Sequence, residues 1–248
     1  MSFLTGEWRK LAIANYVIDK ELLNKYIPSG TELDLWGGNC FVSLIGFMFI
    51  NTKLLGITIP FHKKFEEVNL RFYVKRFENG KWKRGVVFIK EIVPKPALTF
   101  VANTLYKENY ETLPMEHFWS SENNLRTIQY KWKKNNKWNS IKIEASVKKF
   151  KIESNSETEF ITEHYWGYAK VNNVKTNEYE VTHPRWEVYK VSGYDIDVDF
   201  EATYGKEFEF LNSTHPTSVM IAEGSQITVE NKKTIKTDTT ITKHSACR

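Results

Sequence analysis

The stretch Glu67-Val-Asn-Leu-Arg-Phe-Tyr-Val74 decides the fold. Its residues alternate strictly, with Val68, Leu70, Phe72 and Val74 on one face and Glu67, Asn69, Arg71 and Tyr73 on the other. A period of two is the signature of a strand with two unlike faces. The segment Glu78-Asn-Gly80 follows and predicts a tight hairpin turn. The return strand reads Arg84-Gly-Val-Val-Phe-Ile-Lys-Glu-Ile-Val93. Simple alternation places Lys90 on one face with Val86, Phe88 and Ile92. A lysine in an apolar pocket loses its proton readily and becomes a Schiff-base nucleophile. A lysine that snorkels out of a strand surface fits the same pattern.

Upstream, residues 8–17 read as a first strand. Asp19 is placed to cap a short helix over 20–27. Gly37-Gly38-Asn39 is a turn, and the apolar run 40–50 is a buried strand. Downstream, residues 97–105 are apolar. Thr112 and Pro114 predict a second short helix over 113–119. From Arg126 onward strands recur about every ten residues, at 130–132, 138–147, 160–171, 178–191 and 218–229. The polar segment 148–159 reads as a loop. This spacing predicts a mainly β protein, an all-β barrel or sandwich, with a few short helices. One domain is expected over 1–229, with a late strand and frayed tail over 230–248.

The chain has 248 residues, 15% of them aromatic, enough for a sizeable β core. Its 35 Lys and Arg against 30 Asp and Glu leave a mild net charge of +5. The lysines are spread through turns, so no nucleic-acid partner is expected. Two cysteines, Cys40 and Cys247, make neither a disulfide framework nor a zinc motif. The N-terminus lacks a signal-peptide pattern. The longest apolar run, around 41–50, is too short to span a bilayer. A soluble cytoplasmic protein with no membrane partner is expected. No Walker or Gly-x-Gly-x-x-Gly pattern occurs, so no cofactor is expected.

Several motifs in one order carry a family likeness. They are Phe65-Glu-Glu-Val-Asn-Leu-Arg-Phe-Tyr-Val74, Arg84-Gly-Val-Val-Phe88, Ala102-Asn-Thr-Leu-Tyr106, Thr162-Glu-His-Tyr-Trp-Gly-Tyr168, Val181-Thr-His-Pro-Arg-Trp186 and Ser218-Val-Met-Ile-Ala-Glu-Gly-Ser225. Together they resemble the bacterial YqjF-like family of unknown function, across residues 8 to 229. That family is similar in fold to the acetoacetate decarboxylase superfamily. The resemblance implies one acetoacetate-decarboxylase-like β-cone or barrel around an internal cavity. It also implies that Glu67 is the acid lining that cavity. The decarboxylase lysine follows a Gly-Arg-Glu motif, which is absent from Ala102-Asn-Thr-Leu-Tyr-Lys-Glu-Asn-Tyr-Glu111. Lys107 lies nearby, out of register.

The candidate site residues each have two readings. Glu67, Asn69 and Arg71 stand at i, i+2 and i+4, about 7 Å apart along one face. They clamp a polar ligand or form a solvent-facing strand surface. His164 and His183 are acid–base candidates because histidine titrates near neutral pH; as structural groups they would bond backbone carbonyls, Glu163 or Glu180. Tyr165, Trp166, Tyr168 and Trp186 would wall a ligand. Arg185 suits a carboxylate, or an ion pair with Glu163, Glu187 or Glu223. Glu223 shares an apolar face with Val219, Ile221 and Ile227, and so needs a partner or a function. No close-spaced histidine pattern points to a metal.

Three functions fit these residues. The first is a protein binding a small anionic or carbonyl-bearing metabolite in its cavity. The second is an enzyme acting on an organic acid, with Glu67, His164 or His183 moving protons. The third is an interaction module with an exposed aromatic surface.

Overall fold

A computed structural model describes residues 2–237. In chain order it contains β1 (Leu4–Ile18), α1 (Lys20–Leu23), β2 (Glu32–Leu33), β3 (Cys40–Leu54), β4 (Lys64–Glu78) and β5 (Lys81–Val93). Then come α2 (Pro96–Val101), a π-helical turn (Ala102–Tyr106), β6 (Tyr110–Thr112), β7 (Met115–Glu122), β8 (Leu125–Lys134) and β9 (Lys137–Lys151). The rest is α3 (Glu157–Thr162), β10 (Trp166–Asn172), β11 (Lys175–Thr182), β12 (Glu187–Asp197), α4 (Phe200–Tyr204), a 3-10 turn (Lys206–Asn212), β13 (Ser218–Val229) and β14 (Lys233–Lys236). Cys247 and the expected tail from residue 238 lie outside the described residues.

The strands form one continuous sheet that closes on itself. Pairing runs β11–β10–β5–β4–β3–β1–β13, and β13 returns to β11 through Val181↔Val229 and Thr182↔Thr228. A second layer, β12–β9–β8–β7, continues from β13. It folds back over the outside of the barrel. Tyr130, Trp132, Ile141 and Ile143 of that layer pack in one cluster with Val42, Leu44, Leu70 and Phe72. The alternate residues Phe41, Ile45, Phe47, Phe65 and Tyr73 form a separate cluster inside the barrel. Residues 40–49 are therefore buried on both faces, which is why they read as an uninterrupted apolar run.

Two local devices shape β5 and β3. In β5, Leu70 pairs Lys90 while Arg71 pairs Phe88, leaving Ile89 as an extra residue. This bulge reverses the alternation beyond it. Val86 and Phe88 face the interior, whereas Lys90 does not share their face as simple alternation predicts. Lys90 instead bridges Glu111 at 2.9 Å. Asn109 Nδ2 donates to the Ile89 carbonyl at 2.7 Å and holds the bulge. In β3, Gly46 gives room for Tyr130; a Cβ there would lie 2.7 Å from the ring.

The structure corrects four expected elements. Residues 115–119 are strand rather than helix, and 113–114 belong to no element. Exposure alternates from Met115 to Trp119, and β7 pairs β8 from Met115↔Trp132 onward. Cross-strand pairing overrides the proline signal. Segment 148–159 is not all loop, because β9 runs to Lys151 and Ser156 caps α3 by accepting from Glu159 N at 3.1 Å. That helix replaces the first part of the strand expected over 160–171. The strand expected over 178–191 breaks at Pro184, which has no N–H to pair. The helix expected over 20–27 forms only over Lys20–Leu23, as α1, with Asp19 accepting from Glu21 N at 2.9 Å.

Tyr130 is fully buried against Gly46 and donates to the Lys10 carbonyl at 2.9 Å. Tyr130→Ala is expected to lower unfolding free energy by ~3–5 kcal/mol. Gly46→Ala is expected to cost ~1–3 kcal/mol by overpacking the same contact. Urea titration with an unchanged m-value is the check.

Candidate functional site

The barrel interior holds a cavity of about 360 Å³. Most of its wall is apolar and aromatic, including Trp8, Phe47, Phe49, Phe88, Trp166 and Trp186. The polar groups gather on β4, β5 and the segment after the π-helical turn. Glu67, Asn69 and Arg71 all line the cavity from the inner face of β4. Asn69 pairs Glu91 across the sheet, and Glu91 pairs Tyr110 of β6. Glu108 enters beside them and accepts from Tyr179 Oη at 2.8 Å. Gly167 makes space for the Tyr179 ring, since a Cβ would lie 2.1 Å from it.

Glu67, Asn69 and Glu91 are each only 2% exposed. Asn69 Nδ2 donates to Glu67 Oε1 at 3.0 Å, and Tyr110 Oη donates to Glu67 Oε2 at 3.3 Å. Burial dominates and raises Glu67 to about 7, with the Glu108 charge adding to the rise. Glu108 is likewise raised to about 7 by burial, against the Tyr179 bond. Glu91 rises well above the usual carboxylate range through burial and the charges of Glu108 and Glu67. Burial also keeps the Tyr110 and Tyr179 hydroxyls protonated. Among the described residues no cation pairs with any of these three carboxyls. Arg71 is equally unpaired: it donates to the Ile161 carbonyl at 3.2 Å and lies 5.6 Å from the Tyr73 ring centre. Its Nε, Asn69 Oδ1 and Glu91 Oε2 are buried with no partner among the described residues.

The two histidines lie in different aromatic cages. His164 contacts the Tyr73 and Phe160 rings, and its Nε2 is 3.1 Å from Asp34 Oδ2. Burial lowers it to about 4, so it is neutral at pH 7, and its Nδ1 is unpartnered. Burial opposes ionisation of Asp34, but the bonds from His164 and from Arg84 at 2.6 Å outweigh it. His183 stacks on Trp186 at 4.2 Å, contacts Tyr165 at 4.7 Å and donates from Nδ1 to the Pro184 carbonyl. Burial lowers its pKa as well. Both histidines line the cavity.

Four other candidates lie elsewhere. Tyr168 is buried in the outer cluster, because it sits on the opposite face of β10 from Gly167. Arg185 points outward to Glu159 at 2.6 Å, rather than to Glu163, Glu187 or Glu223. Glu223 joins Lys10, Arg126 and Tyr189. It is an ion-pair group on the outer face with Ile221, and the irregularity at Lys10 and Gly224 puts Ile227 on the inner face instead of beside it. Tyr165 stacks behind His183 and bonds Glu163 without reaching the cavity wall. Sequence reasoning missed Glu91, Glu108, Tyr110 and Asp34. Glu91 was hidden by the bulge, and the others sit in short segments without periodicity. No lysine lines the cavity among the described residues. Among those residues no three His, Cys, Asp or Glu side chains are placed to hold a metal ion, and no helix is long and apolar enough to cross a membrane.

The raised Glu67 makes stability depend on pH. Between the ordinary carboxylate pKa and about 7, the unfolded state has lost a proton that the folded state keeps. Stability from this group therefore falls as pH rises through that window. His164 works oppositely: from its ordinary value down to about 4, the unfolded state binds a proton that the folded state refuses. Wild type minus Glu67→Gln isolates the carboxyl. That Tm difference is expected to fall as pH rises from about 4.5 to about 7 and then level off, as followed by calorimetry.

Comparison with known proteins agrees with this architecture. The chain is 27% identical over 184 residues to the uncharacterized protein YqjF of Bacillus subtilis, covering 72% of each. In structure it is similar to acetoacetate decarboxylase from Legionella pneumophila, with a TM-score of 0.62, 13% identity, and 94% and 86% of the two chains covered. An acetoacetate decarboxylase-like enzyme from Sphingomonas wittichii gives 0.63 at 9% identity, covering 95% and 94%. The enduracididine biosynthesis enzyme MppR complexed with pyruvate gives 0.63 at 10%, covering 93% and 88%. The YqjF likeness and the decarboxylase-like β-barrel expected from the motifs are thus both borne out. The DUF2071 family model, described as an uncharacterized conserved protein, matches residues 5–226, so the chain belongs to that family.

Proposed function

We propose that this protein binds a small organic acid in the barrel cavity and exchanges a proton with it at Glu67. The observation that carries this reading is the pairing of chemistries on one face of β4. Arg71 is an unpaired cation in an apolar wall, and Glu67, four residues away, titrates at about 7. A guanidinium is preorganised for a carboxylate. A base poised near neutral pH suits proton transfer. Tyr110 stays protonated and donates to Glu67; once Glu67 takes up the proton, that hydroxyl is free to turn its one hydrogen to an oxygen that gains charge. In the step proposed, a C–H bond next to a carbonyl breaks. The proton goes to Glu67, and the electron pair enters the enolate. Reprotonation reverses it, so no outside reactant is needed.

His164 and Asp34 support the wall beside Arg71. The low pKa of His164 favours a neutral acceptor over a general base. The Schiff-base route has no amine in the cavity among the described residues. Pyruvate in the MppR complex, a carbonyl-bearing acid, is the kind of ligand this reading expects.

The test is calorimetric titration with pyruvate, acetoacetate and 4-oxopentanoate. At least one is expected to bind, and Arg71→Ala is expected to weaken it by about 1.5–3 kcal/mol, the range for a hydrogen bond to a charged group. Solvent deuterium should enter the bound acid next to its carbonyl, faster as pH rises toward about 7. Glu67→Gln should abolish that exchange while leaving binding. No binding by any of the three, or binding indifferent to Arg71→Ala, would sink the proposal.

A further inference from the structure

The cavity carries more acid than an anion site needs. Glu67, Glu91 and Glu108 line it together, and among the described residues none has a cationic partner. Buried carboxyls without counter-charge are costly and either hold protons or await a cation. At the same place, the unsatisfied atoms on the Asn69–Glu91 cross-strand pair are both acceptors. Asn69 Oδ1 and Glu91 Oε2 belong to residues only 2% exposed, and neither meets a donor among the described residues. A protonated amine is a donor-only group with three N–H bonds. Aromatic faces from Tyr110, Tyr179 and Trp166 line the same cavity and favour an organic cation.

We infer that the corner formed by Asn69, Glu91 and Glu108 receives the ammonium group of the ligand, so that the organic acid bound here is an amine-bearing one. This rests on the reading that Arg71 takes the carboxylate. Asn69 and Arg71 are same-face neighbours on β4, about 7 Å apart. That offset asks for a chain of several carbons between the two charged ends. Glu67 is left to move the proton. The groups facing the corner are Glu67 and Arg71 from β4, Glu91 from β5, Glu108 from the connecting segment, Tyr110 from β6, Tyr179 from β11, and the His62, His164 and His183 rings farther along the wall. Entry of a positive charge stabilises the ionised carboxyls, so binding expels protons.

The experiment compares 4-aminobutanoate, 5-aminopentanoate and 6-aminohexanoate with pentanoate, hexanoate and heptanoate, in which a methyl replaces the ammonium. Butylamine is the acid-free control. Calorimetry at pH 7 in two buffers of different ionisation enthalpy reads both affinity and proton release. For at least one length the amino acid is expected to bind tenfold or more tightly than its methyl counterpart and to release protons. Glu91→Gln, which keeps side-chain shape, should cut that preference severalfold, with folding checked by circular dichroism. Alkanoates that bind as well as the amino acids overturn this inference and leave the organic-acid reading standing. An amine preference that survives both Glu91→Gln and Asn69→Ala overturns it too. Butylamine binding without any acid keeps the ammonium corner and removes the carboxylate assignment. If nothing in the set binds, this inference falls, while the organic-acid reading is decided by its own titration with pyruvate, acetoacetate and 4-oxopentanoate.

Discussion

The structure depends on β4 being covered on both faces. Val68, Leu70, Phe72 and Val74 are fully buried under the outer layer. Glu67, Asn69 and Tyr73 are almost as buried on the inner face, yet two of these three are strongly polar. A strand in that position cannot turn its polar residues to bulk water, so the barrel must supply their environment. It does so with a cavity, neighbouring hydrogen bonds and retained protons. The same covering fixes register, because a slip of one residue would drive Glu67 and Arg71 into the packed outer core.

This duality explains what the sequence reveals. The alternation at 67–74 exposes the strand and its two faces, and the hairpin at Asn79-Gly80 follows from a turn that needs positive φ at both residues, as observed. Whether the polar face meets solvent or a cavity cannot be read from alternation. That depends on closure through the short parallel contact Trp166↔Gly85 and Gly167↔Val86, a long-range event with no local signature. The family likeness supplied that closure, because several ordered motifs together carry more than any one strand. Local signals failed where tertiary pairing outweighed them. Thr112 and Pro114 imitate a helix start, while the half-buried alternation of Met115, His117 and Trp119 against β8 decides for strand. Conversely, Ser156 and Glu159 spell a helix cap that a polar composition disguised as loop.

Charged residues divide by whether a partner comes from the same surface. Glu223 has Lys10 and Arg126, Glu178 has Arg76 and Lys83, and Glu111 has Lys90 and Lys134. These are closed networks, and against the opposition of burial their bonds hold the Glu223 and Glu111 carboxyls below the usual carboxylate range. Glu67, Glu91 and Glu108 form no ion pair among the described residues, burial outweighs the Arg71 charge that acts on Glu67, and two of the three shift to about 7. Arg185 and Glu223 looked equivalent to Arg71 and Glu67 as residue types in strands. The difference between them is the company that topology provides.

The bulge at Ile89 has an implication for how chemistry could change in such a barrel. The bulge sets which side chain of β5 reaches the interior: with Ile89 and Lys90 bulged together, the wall gains Glu91 and the amine of Lys90 is spent outside on Glu111. Flattening the bulge with every residue kept, and with the first half of β5 held in place, lets plain alternation run on, swings Lys90 onto the face of Val86 and Phe88 and turns Glu91 outward. An acid-lined chamber would then become one holding a nucleophilic amine. Between these two kinds of reactivity lies a frame shift of one peptide unit, with no new fold and no new residue type.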